Sequence, residues 1–307
     1  MAADRLRIIC GPTAAGKSGI ALELAAEHNA AIVSADSRQV YCYFDIGTAK
    51  PTRRECEQAT HYGVDVIEPT ERYSAARWAG DTEVWMECAA EIDKPAMVVG
   101  GTGLYVKALV EPLFDAPEID SIRRAQLEQE LEGRPLDDLR RWCGQLDPAR
   151  AHLGRAQLTR AIETVVLAGV RISDLHAEHR RSVPVKSDPQ PSYLVVDPGP
   201  GLARRIEERV DAMLKGGWAE EVRELIDRVP ADAPAWKASG YVAVRDYVEG
   251  GCDLSSARQR VIIETRQYAK RQRTWFRHQL PAAAVTPVNP EDSQARAVVR
   301  EWWERAE

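Results

Sequence analysis

The chain has 307 residues, of which 44% are hydrophobic and 29% charged, so we expect a soluble, well-packed protein of one large or two modest domains. Its formal net charge is −6, from 41 basic and 47 acidic residues, which excludes a generally basic nucleic-acid binder and leaves only local basic patches for RNA. No apolar run approaches the roughly 18–20 residues that cross a membrane, no signal peptide is recognisable, and no pair of the six cysteines has metal-site spacing. We therefore expect a cytoplasmic protein that makes no membrane contact.

Short, almost continuously apolar segments recur along the chain and predict buried β-strands. They cover residues 6–10, 30–35, 64–68 and 96–100, with a fifth at 193–197. Helical segments are predicted between them, at 17–29 and 74–93. Continuous rather than alternating apolarity is typical of strands that are covered on both faces, and therefore of a parallel, doubly wound α/β sheet.

The composition changes after about residue 115. Residues 120–185 are rich in Arg, Glu and Leu and predict short helices inserted between the fourth and fifth strands. Prolines predict a loop from Ser182 to Ser192, and helices are predicted again over 201–229, with a break at Gly216-Gly217, and over Ser255–Arg277. We assign residues 1–118 and 190–307 to the sheet domain and 119–189 to an inserted all-helical domain.

A phosphate-binding loop is predicted between the first strand and the first helix. The segment GPTAAGKS fits the pattern G-x-x-x-x-G-K-[ST] in the strand–loop–helix context that the pattern requires. Its members are Gly11, Pro12, Thr13, Ala14, Ala15, Gly16, Lys17 and Ser18. Loop amides and the helix N-terminus attract phosphate, Lys17 neutralises it, and the Ser18 hydroxyl can hold Mg²⁺. The loop predicts a diphosphate or triphosphate ligand and leaves open which one, with ATP or GTP the usual occupant.

Two further segments end at the same edge of the predicted sheet. Asp36 follows the second strand and Thr102 lies in the GGTG turn after the fourth, and the carboxyl ends of parallel strands face the ligand. Asp36 has three possible roles at this stage: a Mg²⁺ ligand, an acceptor for a substrate hydroxyl, or a general base.

The last predicted helix is unusually basic. Arg266, Lys270, Arg273 and Arg277 recur every three or four residues and so share one helical face. This pattern fits either a solvated amphipathic helix or a surface that contacts the phosphate backbone of RNA.

Taken together and in order, these motifs resemble the tRNA dimethylallyltransferase (isopentenyltransferase) family. The resemblance covers roughly residues 6–278 and rests on the segments GPTAAGKS, DSRQVY, IGTAKP, YSAARW, VGGTGLY, RAIE, SGY and RQYAKRQRTWFR. It implies a P-loop core like that of nucleotide kinases, with helices on both faces of a parallel sheet. It also implies that the loop holds dimethylallyl diphosphate with Mg²⁺ and that the inserted domain grips the anticodon stem-loop of tRNA.

The resemblance also implies roles for individual residues. Asp36 corresponds to a general base for the N6 amine of adenosine 37, Lys17 to a group that stabilises the leaving diphosphate, and Thr102 to a positioning group. Arg160 is expected to join the diphosphate site. The residues expected to contact tRNA are Asp36, Ser37, Arg38, Gln39, Thr102, Arg123, Gln157, Leu158, Thr159, Arg160, Lys237, Gly240, Tyr241, Arg266, Lys270 and Arg273.

The chain departs from the family pattern in three places. It has His61-Tyr62 where two histidines are usual, Leu153-Gly154 where Asn-Asp is usual, and Gln157 in place of an arginine. We expect these differences to fall on the RNA-gripping insertion and to alter how the RNA is held rather than the reaction.

Three other functions share part of the pattern. An ATP-dependent kinase would need the phosphate loop but not the basic helix. An adenylate isopentenyltransferase would modify free AMP or ATP and need no RNA-gripping insertion. A non-catalytic RNA-binding protein would not need Lys17, Ser18 and Asp36. For the favoured function we expect a monomer, and the family points to tRNAs with adenosines at positions 36, 37 and 38.

Overall fold

A computed structural model describes residues 6–111, 117, 119–182 and 190–305. The chain divides into two compact units, a sheet unit, Met1–Val110 with Lys186–Glu307, and a helical unit, Glu111–Val185. The sequence-based limits of the inserted domain were 119 and 189. Much of the predicted Ser182–Ser192 loop, residues 183–189, lies outside the described residues.

The sheet has six parallel strands in the order β3-β2-β4-β1-β5-β6. The strands are β1 (Leu6–Cys10), β2 (Ala31–Ala35), β3 (His61–Tyr62), β4 (Ala96–Gly100), β5 (Pro191–Val196) and β6 (Val285–Val288). The predicted parallel α/β fold is therefore confirmed. The predicted strand at 64–68 is wrong, because this segment forms only an isolated bridge between Tyr41 and Ile67. Strand β6 was missed because its segment is short and contains a proline.

Helices follow almost every strand of the sheet. In chain order they are α1 (Lys17–His28), α2 (Arg53–Gln58), α3 (Ala75–Glu91), α4 (Gly103–Val110), α5 (Ser121–Glu132), α6 (Leu136–Leu146), α7 (Arg155–Ala168), α8 (Ile172–Ser182), α9 (Leu202–Lys215), α10 (Trp218–Arg228), α11 (Tyr241–Val248), α12 (Leu254–Gln279) and α13 (Ala295–Glu304). The break at Gly216-Gly217 is where predicted, and Gly217 caps α10 at φ 99°.

Two clusters of buried side chains pack the sheet unit. One brings α1 and α13 to the strands and includes Ile9, Leu24 and Trp303. The other joins helices α9 to α12 and includes Trp218, which is 1% exposed, and Tyr241, which is 0% exposed. Buried apolar side chains of this size are the main favourable contribution to folding.

The helical unit has a small core of its own. Leu131, Leu139, Leu158 and Ile162 are at most 1% exposed and pack α5, α6 and α7 together. Glu163 on α7 is also buried and lies 3.2 Å from Arg124 on α5, so an ion pair crosses the same interface. Burial raises the pKa of Glu163, and Arg124 opposes that shift.

Across the described ranges, each helix is either too short or too polar to cross a membrane.

Candidate active site

The phosphate loop has the backbone conformation that its sequence requires. Gly11 has φ 144°, and a Cβ there would lie 2.2 Å from the carbonyl oxygen of Val196. Gly16 has φ 100°, a region that side chains other than glycine rarely adopt. The Lys17 ammonium donates a hydrogen bond to the Pro12 carbonyl, at 2.7 Å, so it folds back over the loop.

A cationic cavity of about 590 Å³ opens beside this loop. Lys17 and Ser18 line one side, and three arginines of α9, Arg204, Arg205 and Arg209, line the other. Arg204 and Arg205 pair with Glu291, at 3.3 and 3.5 Å, and Arg205 also donates to the Ala14 carbonyl. Among the described residues, no carboxylate forms an ion pair with Arg209, so its charge remains available for an anion.

Arg209 is not among the site residues predicted from the sequence. Its signal was the spacing of Arg205 and Arg209, four residues apart on one face of a helix, but nothing local showed that this face turns toward the loop.

Burial lowers the pKa of two cations that line the cavity, Lys17 and Arg209. Burial, with the neighbouring Arg209, lowers the pKa of Lys17 to about 8, although Asp36 and Cys10 act in the opposite direction. Burial likewise lowers the pKa of Arg209, and Asp36 again opposes the shift. A bound polyanion would relieve the repulsion between these cations, which favours a diphosphate ligand.

Asp36 and Thr102 come together at the carboxyl edge of β2 and β4. The Thr102 hydroxyl oxygen accepts a hydrogen bond from the backbone amide of Ser37 at 3.0 Å. The backbone amide of Thr102 donates a hydrogen bond to the Ala35 carbonyl at 3.1 Å. One oxygen of Asp36, Oδ1, accepts the amide of Arg38 at 2.8 Å. No hydrogen bond to the other oxygen is formed within the part of the chain that the structure describes, so Oδ2 is available to a substrate.

A small cavity of about 60 Å³ lies next to Asp36. Its polar side includes Asp36, Thr13 and Tyr268, and its apolar side includes Val210, Met213, Trp218 and Val261. Arg209 lines both this cavity and the cationic one. Hence Arg209 lies between the cationic cavity and the cavity that contains Asp36.

A third cavity, of about 690 Å³, also borders helix α9. Its lining includes Ser18 at the start of α1, Ile32 of β2, Ile46 from the loop after β2, and Arg209 and Met213 from α9. His61 of β3 also lines it, so the departure from the family pattern at His61-Tyr62 falls in the sheet unit. Our expectation that this departure concerns the RNA-gripping insertion is therefore wrong.

The SGY segment supports the site from within the core. The Tyr241 hydroxyl donates to Glu221 at 2.6 Å and accepts the amide of Gly47 at 3.1 Å. Glu221 also accepts the amides of Asp45 and Ile46, at 3.1 and 2.6 Å. Tyr241 is fully buried, and its side chain holds the loop that forms one wall of the small cavity. The expected contact of this segment with tRNA stays a prediction.

Neighbouring positions in that segment differ from Tyr241. Gly240 is buried at φ 87°, where a Cβ would lie 2.5 Å from Trp218, so its role is to allow this packing. Lys237 is exposed and free to meet a partner.

Gln39, a predicted RNA contact in the segment after β2, donates a hydrogen bond from its side-chain amide to the Ala49 carbonyl at 2.8 Å.

Some cationic side chains of the basic helix α12 form ion pairs, and others do not. Arg273 pairs with Asp197 and also donates to the Gly199 carbonyl, and Arg266 pairs with Glu207. Arg258 and Arg260 pair with Asp211 and Asp246. Lys270 and Arg277 are exposed and form no ion pair with any described carboxylate. Arg273 is therefore a structural residue in this arrangement, whereas Lys270 keeps the surface position that RNA contact requires.

The predicted RNA contacts of the helical unit lie on α5 and α7. Arg123 and Gln157 are exposed, Thr159 and Arg160 are half-buried, and Leu158 is 0% exposed in the helical core. The Leu158 side chain therefore packs in the helical core, and the expected contact of this segment with tRNA stays a prediction. Arg160 lies in the helical unit, and its assignment to the diphosphate site stays a prediction.

The residues beside the phosphate loop fit one kind of magnesium site. No group of three or more His, Cys, Asp or Glu side chains suited to a metal occurs among the described residues. The exposed Ser18 hydroxyl borders the cationic cavity. An ion there would take one protein oxygen and complete its shell with phosphate oxygens and water, as Mg²⁺ commonly does.

Family models match most of the chain. The IPP transferase model matches residues 39–279 and the isopentenyl transferase model matches residues 4–64. The chain is 38% identical over 277 residues to a tRNA dimethylallyltransferase of Rippkaea orientalis, covering 89% of each chain. It is 35% identical to the tRNA dimethylallyltransferase of Deinococcus radiodurans, covering 100% of this chain and 99% of the relative.

Solved structures show the same fold. The tRNA isopentenylpyrophosphate transferase of Staphylococcus epidermidis matches with a TM-score of 0.67 at 29% identity, covering 98% of both chains. A eukaryotic dimethylallyltransferase acting on tRNA matches with a TM-score of 0.75 at 22% identity, covering 96% of this chain and 78% of the other.

Proposed function

Because the chain belongs to the IPP transferase family, we propose that it is a tRNA dimethylallyltransferase. It transfers a dimethylallyl group from dimethylallyl diphosphate to the N6 amine of adenosine 37 in tRNA and releases diphosphate. One observation of the geometry carries this assignment: the cationic cavity at the phosphate loop and the small cavity at Asp36 share Arg209. A donor that spans Arg209 has its diphosphate beside Lys17 and its allylic carbon beside Asp36.

The leaving group explains the cationic cavity. As the bond between the allylic carbon and the diphosphate oxygen breaks, negative charge grows on the diphosphate. Lys17, Arg209 and the loop amides stabilise that charge in the transition state more than in the ground state, which is what accelerates a reaction. When bound at Ser18, Mg²⁺ would supply further charge stabilisation to the phosphate oxygens.

The nucleophile explains Asp36. An adenine N6 amine is a weak nucleophile because its lone pair is delocalised into the ring. A carboxylate that accepts a hydrogen bond from its N–H group makes it more reactive. The free Oδ2 of Asp36 takes the proton as the new N–C bond forms, and the bonding electrons leave with the diphosphate. Thr102 holds the backbone of Ser37 and thereby fixes the carboxylate's position.

The acceptor base has to leave the stack of the anticodon loop to reach this cavity, as in other enzymes that modify bases. Lys270, Arg277 and Lys237 are exposed cations that can meet the RNA backbone. The expectations that the chain is a monomer and acts in the cytoplasm stay predictions.

Transfer of a labelled prenyl group tests the assignment. Labelled dimethylallyl diphosphate and Mg²⁺ are incubated with the protein and one of three acceptors: an anticodon stem-loop with adenosine 37, the same RNA with guanosine 37, or AMP. We expect label only in the first. Label in AMP alone would make the chain an adenylate isopentenyltransferase, and label in no acceptor would refute prenyl transfer.

A further inference from the structure

The small cavity beside Asp36 is much smaller than the two cavities that share Arg209 with it. Its volume is about 60 Å³, whereas the cationic cavity and the third cavity measure about 590 and 690 Å³. A ten-carbon geranyl group needs about twice the space of a five-carbon dimethylallyl group, and of the three cavities this one offers the least.

The chemical character of the lining matches this occupant. Val210, Met213 and Val261 present apolar atoms, and Trp218 adds a large aromatic surface. Val210 and Val261 are at most 2% exposed and Trp218 is 1% exposed, so these walls are fixed by the core of the sheet unit. Met213 is only half-buried, and its unbranched side chain is the most adaptable part of the lining.

Met213 also separates the small cavity from a much larger one. The cavity of about 690 Å³ shares two lining residues with the small cavity, Arg209 and Met213. They are four residues apart on one face of α9, so together they form the partition between the two spaces. Arg209 is the polar half of that partition and faces the diphosphate, which leaves Met213 as its apolar half.

We propose that Met213 sets the length of the prenyl donor by closing the small cavity behind the fifth carbon atom. This inference rests on the proposed prenyl transfer and adds a residue that determines donor specificity. Shortening the side chain opens the small cavity into the larger one, which has ample room for a second isoprene unit. The chemistry is the same for either donor: the N6–carbon bond forms, the carbon–oxygen bond breaks, diphosphate leaves with the electron pair, and Asp36 receives the proton.

Donor competition tests the proposal. Wild type, Met213→Ala and Met213→Leu are each incubated with the anticodon stem-loop and either dimethylallyl or geranyl diphosphate, and the prenylated nucleosides are quantified by mass spectrometry. The readout is the ratio of geranyl to dimethylallyl transfer, which does not depend on the fraction of protein that is folded. Since a single methylene in an apolar pocket changes discrimination roughly 10–200-fold, we expect this ratio to rise at least tenfold in Met213→Ala. In Met213→Leu, which conserves volume, it should stay near the wild-type value.

Val261→Ala is the matched control. Val261 lines the small cavity from α12 but does not line the larger one, so its truncation adds space without opening the partition. We expect little change in the donor ratio. The proposal is overturned by wild type that uses both donors equally, by an unchanged ratio in Met213→Ala, or by an equal rise in Val261→Ala. Met213→Val provides a milder variant if Met213→Ala does not fold. Absence of dimethylallyl transfer by wild type would instead refute the proposed function.

Discussion

Gln272 of α12 accepts a hydrogen bond from the backbone amide of Thr13 in the phosphate loop, at 2.8 Å across 259 positions of sequence. Its side-chain amide donates to the Gly101 carbonyl at 2.9 Å. The side chain is 6% exposed, so both bonds are sheltered from water. One glutamine therefore ties the basic helix to the loop that holds phosphate and to the turn that carries Thr102.

Removing this tie should loosen the phosphate loop. Gln272→Ala leaves the Thr13 amide and the Gly101 carbonyl without a partner, and an unpaired buried polar group costs roughly 1–3 kcal/mol. We expect a lower free energy of unfolding in urea and a higher KM for the prenyl donor. Thr274→Ala, at an exposed position on the same helix, should leave stability within about 0.5 kcal/mol of wild type. Equal donor KM values for Gln272→Ala and wild type would contradict a positioning role.

Asp36 should matter for turnover rather than for RNA affinity. Asp36→Asn keeps the shape of the side chain but cannot accept the N6 proton, so we expect kcat to fall by about 10²–10⁴. Gel-shift titration should give an unchanged tRNA affinity, because the side-chain carbonyl oxygen of asparagine can still accept the hydrogen bond from the Arg38 backbone N–H. Asp93→Asn, at an exposed loop position, is the matched control. Near wild-type turnover in Asp36→Asn would remove Asp36 from the reaction.

Donor binding should weaken as pH rises through about 8, the pKa of Lys17 in the protein without donor. Below that pH the ammonium is charged and attracts diphosphate; above it the charge is lost. A pH profile of kcat/KM for the donor should therefore show a descending limb, which Lys17→Ala should lack along with most of its donor affinity. A limb that persists in Lys17→Ala would assign it to another group.

The same pKa has a consequence for stability. Because the pKa of Lys17 is lower in the folded chain than its usual value of 10.5, the unfolded chain binds more protons at this site between pH 8 and 10.5. The contribution of this site to stability therefore rises with pH across that window. The free energy of unfolding of wild type and of Lys17→Ala can be measured across this pH range, and the difference between the two curves gives the contribution of Lys17.

Ion pairing on α12 predicts which cations the RNA uses. Lys270→Ala should weaken binding to tRNAs of any sequence by a similar factor. It should also reduce the slope of log affinity against log salt concentration by about one unit, or somewhat less for single strands. Arg260→Ala removes a cation that pairs with Asp246 and should change the slope little. Equal slopes for the two variants would show that pairing does not select the contact residues.

Tyr241→Phe distinguishes support of the loop from recognition of RNA. Loss of the hydroxyl leaves the Gly47 amide unpaired and weakens the hold of Glu221, so we expect a destabilisation of roughly 1–3 kcal/mol. Because Tyr241 is fully buried, tRNA affinity of the folded protein should not change. Lys237→Ala, at an exposed site nearby, should lower tRNA affinity without loss of stability. Reduced tRNA affinity in folded Tyr241→Phe would reverse these two assignments.

Features that depend on neighbouring residues could be predicted from the sequence alone. Continuous apolar runs identified β1, β2, β4 and β5, the glycine pair at 216–217 separated α9 from α10, and the spacing from Gly11 to Ser18 identified the phosphate loop. These features follow from steric and hydrogen-bonding preferences within one element and its flanking turns. The ordered set of motifs along the chain also identified the family.

Which side chains meet across long separations in sequence depends on the tertiary structure. It brought Arg209 of α9 beside Lys17 and Asp36, neutralised Arg266 and Arg273 with carboxylates of other elements, and placed Tyr241 and Leu158 inside cores. A local pattern shows that a residue is charged or apolar, but not whether its partner is a buried neighbour or a substrate. That choice depends on how α9 and α12 pack on the sheet, and this packing also creates the partition at Met213.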